Sequence, residues 1–148
     1  MAAVQRVGIV GAGAAGLTAA ILLAEAGVEV EVLEKAAEPQ TLGSGITLQG
    51  NALRILRDLG VWEQVQAKGY SFSTLGLRAP DPAGTVVAVL EDIRTGGEDL
   101  PATLGMYRPD LTAILRGRAE QAGTRISYGK TVTEIADDGG TVTVLTAD

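Results

Sequence analysis

The sequence predicts an α/β fold: a parallel sheet crossed by helices, with an antiparallel β excursion inserted into it. Three observations carry this. Near the start, a β-branched apolar run, a glycine-rich turn, a helix-forming run and a second β-branched run follow one another between residues 5 and 33. Glycine is the compositional outlier, at 20 of 148 residues, about twice the average share, and it marks the junctions between these runs. From residue 71 to 108 the apolar runs become short and are separated by turn residues, the texture of antiparallel pairing.

The elements follow in order. Gln5 to Val10 (QRVGIV) reads as a strand buried on both faces. Gly11 to Gly16 (GAGAAG) is a turn. Leu17 to Ala26 (LTAAILLAEA) holds strong helix formers and stops at Gly27. Val28 to Leu33 (VEVEVL) is the second strand, and a crossover of this kind joins parallel strands. Glu38 to Gly45 is a loop; then Asn51 is a suitable N-cap for a helix from Ala52 to Leu59, ended by Gly60. A short helix is expected over Glu63 to Lys68. Phe72 to Arg78, Thr85 to Leu90 and Leu104 to Arg108 read as strands of the antiparallel excursion. Pro109 to Ala122 is a helix with Asp110 in its first turn. Ile126 to Tyr128 is placed to return beside the second strand. Thr131 to Ile135 and Thr141 to Thr146, joined by Asp137-Asp138-Gly139-Gly140, form a hairpin.

Composition narrows the chemistry. The chain has no Cys and no His. That excludes disulfides, thiol nucleophiles, Cys-based metal sites and His-dependent acid–base catalysis. Chemistry built on this chain therefore leans on a cofactor that brings its own reactivity. A net charge of −6 and 3% aromatic residues argue against nucleic-acid binding, which needs a basic footprint and stacking rings. Val7 to Ala24 carries no charge, yet Gly8, Gly11, Gly13 and Gly16 interrupt it, so a turn is expected there and no membrane span or export signal. No metal site and no catalytic residue is assigned. A cytoplasmic location is expected.

Gly11, Gly13 and Gly16 form GxGxxG where the first strand meets the helix. In a dinucleotide-binding (Rossmann-like) fold the first glycine permits the tight turn. The second lets backbone approach a pyrophosphate, and the third lets helix and strand pack closely. The helix N-terminus then offers free N–H groups to the phosphates. Glu34 ends the second strand, eighteen residues after Gly16; its carboxylate can accept hydrogen bonds from ribose hydroxyls and would repel a 2′-phosphate. FAD and NAD are not distinguished by Glu34.

The stretch GIVGAGAAGLTAAILLAEAGVEVEVLEK, followed by LGSGITLQGNALRILRDLG, then MYRPDLTAILRGRAEQAG and ISYGKTVTEIADDGGTVTV, resembles the N-terminal FAD-binding part of single-component flavoprotein aromatic hydroxylases, the p-hydroxybenzoate hydroxylase-like monooxygenases. The resemblance covers nearly the whole chain. It implies a Rossmann-like FAD/NAD(P)-binding fold and FAD as cofactor. It also implies NAD(P)H as co-substrate and a small aromatic or polycyclic substrate hydroxylated with O2. By position it places Gly11, Gly13, Ala14, Ala15 and Gly16 at the pyrophosphate, and Glu34 at the adenosine ribose with Lys35 beside it. Ser44 and Gly45 fall near the flavin, Arg108 near the ribityl and phosphate region, and Val132 near the adenine. The family's later acidic-glycine and Gly-Asp motifs lie beyond Asp148. Residues 1–148 are therefore expected to be a truncated, partial FAD-binding domain, with the antiparallel excursion over roughly 71–108 and the C-terminal substrate portion absent. By itself the chain is expected to be inactive as a hydroxylase. The alternatives are the FAD- or NAD-binding module of another oxidoreductase, or a non-catalytic subunit that pairs with a second chain or as a homo-dimer.

Overall fold

The computed structural model describes residues 4–147. They fall into two compact units, residues 4–43 with 109–147, and Ser44–Arg108. In chain order the elements begin with β1 (Arg6–Val10), α1 (Ala14–Glu25), β2 (Glu29–Glu34), β3 (Gly45–Gln49), α2 (Gly50–Asp58) and α3 (Trp62–Lys68). They continue with β4 (Tyr70–Phe72), β5 (Thr74–Arg78), β6 (Val86–Glu91) and β7 (Thr103–Tyr107). Last come α4 (Arg108–Gln121), β8 (Arg125–Tyr128), β9 (Val132–Asp137) and β10 (Val142–Thr146).

The first unit is built on a parallel sheet of order β1-β2-β8. Val7 stands opposite Val30 and Ile9 opposite Val32, and Val32 opposite Ile126. β-branched residues suit this pleated, half-buried surface. Helix α1 carries no charge before Glu25, and its Leu17, Ala20 and Ile21 are fully buried. Burying side chains of the Leu and Ile class contributes roughly 1.5–3 kcal/mol each. Ala20 joins Val28, Val30 and Val32 in one core cluster, with Val7, Ile9 and Ile126 packed against it. Gly27 ends the helix region at φ +83°, a conformation that suits glycine at this C-terminal position. β1 differs from the expected doubly buried strand. It lies at the edge of the sheet, alternates exposed and half-buried residues, and leaves Val10 57% exposed. Its ladder has a partner on one side only among the described residues.

Helix α4 buries Leu111, Ile114, Leu115 and Ala119, and Arg118 pairs with Glu25 at the end of α1. β8 then returns in parallel beside β2, with Tyr128 opposite Glu34. β9 and β10 form an antiparallel pair closed by the Asp-Asp-Gly-Gly turn. There Asp138 Oδ1 accepts hydrogen bonds from the Gly140 and Thr141 amides.

The second unit holds an antiparallel sheet of order β3-β7-β4 and a separate β5-β6 hairpin. Leu48, Leu104 and Met106 are buried on one face of the sheet, and the alternate residues Thr47, Gln49 and Gly105 lie on the other. Two expectations change here. The run from Phe72 to Arg78 is not one strand: it breaks at Ser73, and β4 pairs with β7 while β5 pairs with β6. Asn51 is not the N-cap of α2. The helix begins at Gly50 with Gln49 in the cap position and no side-chain cap bond. Gly50 is buried, and a Cβ there would lie 2.2 Å from the Gly96 amide nitrogen. The 95–96 loop thus comes down on the helix start, where only a glycine fits.

Candidate functional site

The three glycines of GxGxxG have different physical reasons to be glycine. Gly11 sits at φ +98°, in the left-handed region where a Cβ is costly; its amide donates to the Leu33 carbonyl at 2.8 Å, closing the loop onto β2. Gly16 is needed for packing: a Cβ there would meet the Gly11 carbonyl oxygen at 2.2 Å and Ile9 Cγ2 at 3.3 Å. Gly13 has neither reason. Its φ is −77°, ordinary for any residue, and an added Cβ would find nothing within 4 Å. The space beside Gly13 is open.

Gly13 is also the N-cap of α1. No side chain caps this helix, and no acidic residue lies in its first turn. Gly13 and Ala15 are exposed and Ala14 is half-buried. The first-turn N–H groups and the positive end of the helix dipole are therefore available to an anion.

Glu34, the last residue of β2, reaches back to this loop. Its Oε2 accepts the Ala12 amide at 2.7 Å and its Oε1 accepts the Ala36 amide at 2.9 Å. A carboxylate has about four acceptor sites, so the two bonds leave capacity on both oxygens. Lys35 is exposed beside it. The end of β2 is also bound to the segment after β8. Gly129 donates its amide to the Ala36 carbonyl at 2.9 Å, and Lys130 donates to the Glu34 carbonyl at 2.9 Å. That segment leads directly into β9, whose first residue, Val132, is half-buried. Glu34 and the 129–130 segment thus meet at one end of the β1-β2-β8 sheet, although nearly a hundred residues separate them in sequence.

Ser44, Gly45 and Arg108 lie in the second unit and are brought together there. Gly45 pairs with Tyr107 across the β3-β7 ladder, and the Arg108 amide donates to the Ser44 carbonyl at 3.1 Å. All three are exposed, at the end of the sheet where α4 begins. The antiparallel pairing places residues 44 and 108 side by side.

Sequence reasoning missed the Ala12 and Ala36 amides and the Gly129–Lys130 tether. They are backbone groups, and no side-chain pattern announces them. One charged neighbour below the site is perturbed. Glu31, on β2, is held below the usual carboxylate range by hydrogen bonds from Arg125 and Ser127, with Arg125 charge attraction adding to them. Among the described residues there is no group of acidic side chains that could hold a metal ion. Among the described residues no helix is long and apolar enough to cross a membrane.

The sequence matches the family described as "FAD binding domain" over residues 4–148. It is 31% identical over 144 residues to 6-hydroxynicotinate 3-monooxygenase of Pseudomonas fluorescens, covering 97% of this chain and 37% of that protein. It is 32% identical over 133 residues to the FAD-dependent monooxygenase OpS4 of Beauveria bassiana, covering 88% of this chain and 31% of the other. Among solved structures, the tetrameric form of 2-methyl-3-hydroxypyridine-5-carboxylic acid oxygenase superposes with a TM-score of 0.77 at 29% identity, covering 97% of this chain and 36% of that one. The chain spans about a third of the length of these relatives.

Proposed function

This chain belongs to the FAD-binding domain family, and we propose that it is the cofactor-binding part of a flavin-dependent monooxygenase that hydroxylates an aromatic substrate with NAD(P)H and O2. The observation that carries the proposal is the open space at Gly13, the one glycine of the fingerprint that neither backbone conformation nor packing requires. Open space at the start of an uncapped helix leaves room for a ligand to approach the backbone, a geometry suited to a pyrophosphate.

On this reading Gly11, Gly13, Ala14, Ala15 and Gly16 hold the pyrophosphate through backbone N–H groups. Glu34 uses its spare acceptor capacity for the adenosine ribose hydroxyls, with Lys35 beside it. Val132, entering β9 from the tethered 129–130 segment, borders the adenine. Ser44, Gly45 and Arg108 contact the flavin half, with Arg108 supplying positive charge near the ribityl and phosphate groups. The flavin, when bound, supplies the redox chemistry. The residues of this chain bind and orient it; none is assigned a proton or a bond in the reaction. Glu34 also fastens the glycine loop to the end of β2 through its bond to the Ala12 amide.

The co-substrate NAD(P)H, a cytoplasmic location and assembly as an oligomer belong to the same proposal. Of these, assembly alone has support among the similar proteins, from the tetrameric form of 2-methyl-3-hydroxypyridine-5-carboxylic acid oxygenase. Calorimetric titration of FAD into the chain tests the central part. In a chain that spans about a third of its relatives' length FAD binding is expected to be weak, and weaker still after Gly13→Ser; a Gly13→Ser chain that binds FAD as the wild type does contradicts the reading.

A further inference from the structure

The second unit contains a cleft of about 460 Å³ between the open face of the β3-β7-β4 sheet and the β5-β6 hairpin. That volume lies within the range of small-molecule sites, roughly 300–1,000 Å³. The cleft has two kinds of wall. Phe72, Leu75 and Leu90 offer apolar surface. Gln49, Glu91 and Asp92 offer polar groups. Among the described residues no Lys or Arg lines it.

The two carboxylates are arranged differently. Asp92 is fixed: its side chain accepts the hydroxyl of the buried Thr103 and the Ile93 amide. Gln49 and Glu91 make no side-chain hydrogen bond within the described chain. Gln49 lies on the same sheet face as Gly45, four residues along β3, since alternate residues share a face. The cleft therefore continues the surface that begins at the proposed flavin contact, Gly45.

We propose that this cleft binds an aromatic ligand that is neutral or cationic and bears N–H or O–H donors, and that Gln49 and Glu91 set this preference against aromatic carboxylates. The inference rests on the reading of Gly45 as a flavin contact for its relevance to the substrate, and it names the substrate class for that reading. The physical reason is direct. The apolar wall receives a ring, and Glu91 and Asp92 accept hydrogen bonds. An anionic ring would bring a third negative charge into a cleft that no cation lines among the described residues. Discrimination of this kind works by repulsion as well as by attraction.

The test uses amide-resolved NMR on the 148-residue chain with three phenols of equal ring size: 4-hydroxybenzylamine, 4-hydroxybenzyl alcohol and 4-hydroxybenzoate. The expected result is perturbation of the Gln49, Phe72, Glu91 and Thr103 amides by the amine and the alcohol. The benzoate should bind weaker by on the order of tenfold. Glu91→Gln should narrow the gap between the amine and the benzoate. Equal or tighter binding of the benzoate overturns the proposal. So does perturbation that misses these residues, or an amine that causes none. Adding FAD to the same sample separates this failure from that of the cofactor reading, which is judged at the Gly13 and Ala14 amides.

Discussion

The Glu34 carboxylate accepts the Ala12 amide at 2.7 Å, across twenty-two residues of sequence. One residue thus joins the end of β2 to the glycine loop before α1, and its second oxygen holds Ala36. Glu34→Ala leaves both amides without that partner. Ala12 and Ala36 are half-buried, so the variant should lose about 1–3 kcal/mol of stability. Glu34→Gln offers one acceptor oxygen and one amide group, so it can serve only one of the two N–H groups and should fall between wild type and Glu34→Ala. Urea unfolding midpoints check the order. A glutamine variant as stable as wild type would contradict the two-bond role.

Gly13 and Gly16 should behave in opposite ways. Gly16→Ala forces a Cβ to within 2.2 Å of the Gly11 carbonyl, so it should cost at least about 1–3 kcal/mol through overpacking. Gly13→Ser places a favoured N-cap residue where its Cβ meets nothing within 4 Å. Its stability should stay within about 0.5 kcal/mol of wild type or rise, while FAD binding falls. Thermal melts and FAD titrations of the two variants separate packing from ligand approach. A Gly13→Ser protein that binds FAD like wild type removes the main support for a pyrophosphate at this loop.

The Glu31–Arg125 pair predicts a pH dependence. Arg125 and Ser127 lower the Glu31 value in the folded chain. A depressed carboxyl stabilises the fold fully above its unfolded value, about 4.3, and loses that contribution as pH falls through the lowered folded value. Arg125→Ala should therefore be less stable than wild type near neutral pH, and the gap should close as pH drops below the ordinary carboxylate range. The Arg125 side chain is 73% exposed, so the effect should be small and screened by salt. Urea midpoints against pH check it; a gap that stays constant into acid contradicts it.

Arg108 tests the flavin half. It is exposed, and its backbone amide donates to the Ser44 carbonyl. Arg108→Ala should weaken FAD binding more than ADP binding. Equal loss for both ligands would place Arg108 away from the flavin half.

Much of the geometry at the candidate site was legible because it is local. The strand–glycine–helix order, the three-glycine spacing and an acid at the end of β2 are all set within residues 5 to 34. The return of β8 beside β2 was also readable, from the order of runs. The rest depends on pairings far apart in sequence. Nothing local in Phe72 to Arg78 says that Ser73 is where the chain leaves one sheet for another. Nothing near Asn51 shows that the 95–96 loop packs against a helix start at Gly50. The tether of Gly129 and Lys130 to β2 uses backbone groups, which leave no trace in residue type. The exposure of β1 follows from its place at the sheet edge, which an apolar run alone does not reveal.

The most direct test of the cofactor site is amide-resolved NMR of the chain titrated with FAD and, separately, with ADP. The account predicts that both ligands perturb amides 11–16, 34–36 and 129–132, and that FAD alone adds perturbation at 44–45 and 108. Silence at Gly13, Ala14 and Ala15 in saturating FAD, with shifts elsewhere or none, would contradict it.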